Sequence, residues 1–167
     1  MSIRKMLWLL CSVAPLALVP LATAAGGQLA VAVADFDYGD TSGEAVDQTV
    51  AHRERMAIFD VALRDALARR DYRVTRPSCP QLTCTAAGMA PDDLAKAARR
   101  DGARYLLYGG IRKMSTLVQW GEVQLVDIDR DELLLRRTVS FRGDTDAAFR
   151  HAADFVGETV RDALAAR

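Results

Sequence analysis

RYLLYGGIRKM, residues 104–114, is the stretch on which the fold turns. It is apolar and aromatic over its first half, as a buried strand should be. Its interior Gly109-Gly110 pair marks a bulge or a place where another backbone packs close. Two more strand-like runs follow, LVQWGEVQLVDI (117–128) and ELLLRRTVSFRG (132–143). Asp129-Arg130-Asp131 between them reads as a tight hairpin turn. Just upstream, PDDLAKAARRDGA (91–103) has a proline first, acids in its first turn, Arg99 and Arg100 in its last, and Gly102 beyond. That is the capping and dipole pattern of a short helix.

The same alternation continues outward. QLAVAVADF, residues 28–36, is apolar at nearly every position and reads as a strand buried on both faces. Residues 37–53, DYGDTSGEAVDQTVAHR, read as a long acidic loop, and loops of that length are more often functional than mere connectors. Helical spacing of Met56, Phe59, Leu63, Ala66 and Leu67 follows, from about Arg53 to Arg70. DYRVT, 71–75, is a short strand. A last helix, capped by Asp144 or Thr145, reaches Ala165. The expected fold is α/β, one domain, with a mixed five-stranded sheet in the order β-α-β-α-β-β-β-α. Right-handed crossovers make the first three strands parallel, and the last two add as an antiparallel hairpin. On that hairpin, period-two reading puts Leu117, Val123, Leu125, Leu133, Leu135, Val139 and Phe141 on one face. Trp120, Glu122, Gln124, Arg136, Thr138 and Arg142 fall on the other, a mixed face that is either solvated or a docking surface centred on Trp120.

The chain has 167 residues and opens MSIRKMLWLLCSVAPLALVPLATAAGG. Arg4 and Lys5, an apolar run to about Leu21, and Ala22-Thr23-Ala24 make the three parts of a secretory leader. Pro15 and Pro20 interrupt the run and it is short for a membrane span. Leu10 before Cys11 does not suit lipid attachment. The expected organisation is a cleaved signal peptide over 1–24 and a single domain over 25–167, with a periplasmic location in a bacterium. The 22 basic and 22 acidic residues balance, and losing Arg4 and Lys5 leaves the mature chain slightly acidic. No general attraction to nucleic acid or anionic lipid follows, and no membrane span is expected after cleavage. Cys79 and Cys84 then remain, an even number in an oxidising space, and the expectation is a disulfide. The alternative is a working thiol pair or half of a metal site. A thioredoxin-type centre wants two intervening residues rather than four, and zinc would need two further ligands.

AARRDGARYLLYGGIRK (97–113), VAVADF (31–36) and VQLVDIDRDELLLRRTVSFRGDTDAAFRHAADFV (123–156) together resemble the amino-terminal domain of TolB and related envelope modules. The last stretch resembles more specifically a family of small secreted bacterial proteins with no assigned function, RGDTDAAFR (142–150) and the cysteine pair being its most specific parts. The resemblance implies a TolB amino-terminal-like α/β fold and an envelope setting. It implies no reaction and brings no catalytic residues.

No nucleophile elbow and no phosphate loop occur. His52 and His151 are expected on exposed helix faces. Counted from Asp35, the acidic stretch fails the calcium-loop pattern at Asp40 and Val46, leaving Asp37, Asp40 and Glu44 as a solvated loop or a loose calcium site. Parallel pairing of the first two strands would bring the acidic loop beside the cysteine loop at the sheet's carboxyl edge, where ligands favour α/β sheets. The candidate binding residues are Asp37, Tyr38, Asp40, Pro80, Gln81, Leu82 and Trp120. The expected function is that of a non-catalytic periplasmic protein, without cofactor or metal, that binds an envelope protein or component. The alternative is a thiol/disulfide or metal-handling accessory protein using Cys79 and Cys84.

Overall fold

The elements run β1 (Ala30–Val33), β2 (Asp37–Asp40), α1 (Thr49–Ala68), β3 (Arg73–Thr75), α2 (Pro91–Arg100), β4 (Tyr105–Ser115), β5 (Val118–Asp127), β6 (Glu132–Arg142) and α3 (Asp146–Ala165). They are those of a computed structural model that describes residues 28–80 and 84–167. The expected leader, and Gln81 and Leu82, lie outside the described residues.

β1 is buried at all four positions and lies between β3 and β4, parallel to both. Its side chains alternate between two cores. Val31 and Val33 join Phe59, Leu63, Leu107, Val123, Leu125, Phe149 and Val156 beneath α1 and α3. Ala32 and Ala34 join Leu94, Ala98, Leu106 and Cys84 beneath α2. Continuous apolarity is thus explained by a strand with no solvent face. β4 pairs β5 antiparallel, and β5 pairs β6 likewise, giving the order β3-β1-β4-β5-β6.

The sheet has six strands, not five. After Ala34, whose N–H still bonds Leu107 O at 2.9 Å, the chain swings away from β4 and returns as β2, pairing parallel with Gly110–Lys113. The start of the expected acidic loop is therefore a strand. Asp-Tyr-Gly-Asp carries no β-branched residue and three that strands disfavour, so its strand character comes from its partner. Gly109 makes the swing feasible: a Cβ there would stand 2.2 Å from Glu122 O and 2.7 Å from the Phe36 ring.

Of the two expected cap residues, Thr145 caps α3, accepting from Ala148 N–H, while Asp144 turns inward. Two further expectations change. His52 is buried, not exposed. Leu133 and Leu117 are exposed; the pairing register shifts between Leu125 and Val126, which moves Leu133 off the core face.

Candidate functional site

Asp35 sits where β1 ends and is almost fully buried. Its N–H donates to Cys84 O, and its carboxylate accepts from Cys84 N–H, both at 2.9 Å. Arg76 adds two bonds to that carboxylate, at 3.0 and 2.6 Å, and Arg64 one at 2.9 Å. Burial alone would raise the Asp35 pKa, but the Arg76 and Cys84 bonds and the two positive charges carry it below the ordinary carboxylate value. Two residues on, Asp37 accepts from Ala87 N–H at 2.9 Å. The cysteine loop is thus fastened to the end of β1 and the start of β2. Cys79 and Cys84 are bonded to each other, S–S 2.06 Å, with Cys84 buried. The juxtaposition expected from parallel pairing is present.

This fastening builds one wall of a cleft of about 520 Å³. Asp37, Tyr38 and Gly39 with Ala86 and Ala87 form that wall, Tyr108 to Arg112 the floor, and Trp120, Glu122 and Gln124 the far side. Gly110 keeps the floor low, since a Cβ there would stand 3.2 Å from Asp37 Cβ. The far side is held by a ladder. Tyr108 OH donates to Gln124 Oε1 at 2.8 Å, Gln124 Nε2 donates to Glu122 Oε1 at 2.7 Å, and Arg136 donates to both Glu122 oxygens at 3.1 and 3.3 Å. Burial and the Glu122 charge push the Tyr108 hydroxyl above its ordinary pKa, so it stays a donor.

A second cleft of similar volume opens on the other side of β2, against α1, and is bordered by Phe36, Tyr38, Asp40, His52, Met56 and Asp60. Burial pushes the Asp60 carboxyl up to about 7; Arg64 opposes the shift and Asp35 adds to it. Behind this cleft lies a buried ion cluster. Lys113 is 1% exposed, and its ammonium donates to Asp144 at 2.9 Å, to Gln48 at 3.0 Å and to Glu44. Asp144 also meets Arg55 at 2.6 Å and His52 Nε2 at 3.3 Å. The cluster ties α1, β4, residues 41–48 and the start of α3 together.

Of the sequence-derived candidates, Asp37, Tyr38 and Trp120 line the first cleft. Asp40 faces the second, where Ser42 N–H and Oγ bond it. Pro80 is exposed and borders neither cleft. Asp37, Asp40 and Glu44 each have separate partners, and among the described residues no three Asp, Glu, His or Cys side chains converge as a metal centre. Asp35, Arg112 and Lys113 were missed. An aspartate closing an apolar strand is a signal for Asp35; nothing local marks a buried lysine.

Layered helices on a mixed sheet, with β2 riding on β4 beyond β1, place the chain in the TolB amino-terminal class of fold. TolB from Acinetobacter baumannii matches over 82% of this chain at 17% identity with a TM-score of 0.50, and this chain spans 28% of that one. PelC from Paraburkholderia phytofirmans (14% identity, 77% of this chain, 86% of that one, TM-score 0.49) and the LpoB C-terminal domain from Salmonella enterica (19%, 71%, 86%, 0.43) are also similar. No curated protein matches the sequence. Residues 29–159 match the DUF3280 family model, described as "Protein of unknown function (DUF2380)", and the chain belongs to that family. Among the described residues, no helix is long and apolar enough to cross a membrane.

Proposed function

We propose that this is an exported, non-catalytic envelope protein that captures a protein partner or another envelope component in the first cleft. The leader-like opening supports the setting. One observation carries the binding role: the Asp35–Cys84 fastening and the disulfide hold one wall of the cleft fixed before any ligand arrives. A preformed concave site with a few set polar groups loses little order on binding. Burial of Cys84 within that fastening supports a structural clip over a working thiol pair, because a reactive cysteine needs access.

A photo-crosslinking residue placed at Trp120 or Tyr38 in living cells tests the reading. Adducts are expected from both positions and not from exposed Val61 on α1. Absence of adducts from the cleft, or equal capture from Val61, would overturn it.

A further inference from the structure

β6 is the last strand of the sheet, and among the described residues nothing pairs with its outer edge. Alternate residues of an edge strand turn their N–H and C=O groups outward, a template for one more strand. Sheets guard such edges with short strands, proline, lysine or bulges. β3, at the other end of the sheet, has three residues. β6 runs over 11 residues with neither proline nor lysine. Its one register shift lies at its start, before Leu135. The run from Leu135 to Arg142 is therefore regular and open.

Beside that edge, α3 forms the wall of a groove. Val139, Phe141, Ala152 and Phe155, with Ser140 and His151, enclose a space of about 150 Å³. A dry apolar cavity of about 150 Å³ takes up benzene, so a leucine or phenylalanine side chain fits. Phe155 is 44% exposed there. The Arg137 guanidinium lies over its ring, 5.7 Å from the centroid. Arg137 therefore shares the α3 side of β6 with Val139 and Phe141. Among the described residues Arg137 meets no carboxylate. The α3 acids on either side of Phe155 are engaged at the end of α1, Asp154 by Arg69 and Glu158 by Arg70.

We propose that an extended, acidic segment of a partner protein adds to β6 as a further strand. Period-two alternation fixes its pattern. An apolar side chain opposite Val139 enters the groove, and an acidic one two positions away, opposite Arg137, meets the guanidinium. Main-chain bonds to β6 supply the affinity, and the groove supplies the selectivity. A second copy of this chain fits less well. Residues 133–142 carry Arg136, Arg137 and Arg142 and no acid, so pairing β6 with itself brings like charges together. The site lies on the α3 side of the sheet, away from Trp120, and stands whether or not the cleft binds.

The probe is a labelled, end-capped, threonine-rich peptide with glutamate and leucine two positions apart. It is titrated with the mature chain and followed by fluorescence anisotropy. Binding is expected, with slowed hydrogen exchange at the β6 amides. Replacing the peptide's glutamate by lysine, or its leucine by alanine, should weaken binding about tenfold. Arg137→Glu should weaken the glutamate peptide about tenfold and bind the lysine peptide more tightly instead, a reversal that a damaged fold does not produce. The inference is overturned if the peptide does not bind, if exchange at β6 is unchanged on binding, or if Arg137→Glu leaves the peptide preference as it was. It is overturned in favour of a second copy if the chain alone protects the same amides as its concentration rises and the peptide does not displace that protection.

Discussion

Asp35 and Cys84 bond each other twice, backbone to backbone and carboxylate to backbone N–H, each at 2.9 Å. The pair makes the buried end of one strand the anchor for a loop more than forty residues downstream. Asp35→Asn keeps the shape but removes the carboxylate charge that Arg64, Arg76 and the Cys84 N–H share. It should cost about 2 kcal/mol, less than a fully buried pair, because the Arg76 side chain is half exposed. The folded pKa of Asp35 lies below its unfolded value. Its contribution is therefore full above the ordinary carboxylate range and is lost as pH falls through the depressed pKa. Urea denaturation of both proteins at pH 7 and at pH 3 should show a gap at pH 7 that narrows at pH 3.

The disulfide closes a sequence separation of 5. Cys79→Ser/Cys84→Ser should lower stability by about 2 kcal/mol in the chain-entropy account. Reducing agent should shift the wild-type denaturation midpoint in the same direction and leave the double variant where it is.

Asp60 behaves oppositely to Asp35. Its pKa is about 7 in the fold against an ordinary 3.8, so the folded state holds the proton more tightly than the unfolded chain. The stabilisation is full below the unfolded value and is lost as pH rises through about 7. Asp60→Asn cannot ionise, and its amide oxygen can still accept from Phe36 N–H, the bond Asp60 makes at 3.4 Å. The variant should match the wild type near pH 4 and exceed it by roughly 2 kcal/mol at pH 8. Denaturation curves at the two pH values decide this.

Lys113→Met should destabilise the protein by about 3 kcal/mol, because Asp144 and Glu44 lose the buried ammonium they share. Hydrogen exchange should rise first at residues 41–48, where Thr41 N–H bonds Lys113 O.

Gly109→Ala should cost about 3 kcal/mol, the upper end for overpacking, since its Cβ would meet Glu122 O and the Phe36 ring. Thermal melts of the purified variant test this.

Helices α1 and α2 and the hairpin were legible because their signals are local: Met56, Phe59 and Leu63 recur at helical spacing, and Pro91 and Gly102 bracket a capped turn. The Gly109-Gly110 pair correctly announced a close backbone approach. β2 was illegible because only Tyr38 in Asp37–Asp40 favours a strand while the two aspartates and Gly39 oppose one; β4 imposes it. The buried state of His52 and Lys113, and the inward turn of half-buried Asp144, were hidden for a related reason. Each is polar, and only the meeting of segments far apart in sequence gives them partners. Half of the binding face followed from topology, since parallel β1 and β3 deliver Asp37 and the cysteine loop to one edge. Arg112 and the Tyr108–Gln124–Glu122 ladder needed strand register, which one sequence does not fix.

The central claim is that the cleft between the fastened cysteine loop and Trp120 is where this protein meets its ligand. Site-specific photo-crosslinking in living cells measures it most directly, comparing residue 120 with residue 61. Discrete adducts from 120 and none from 61 are predicted. Adducts from 61 alone, or none from either, would contradict the account.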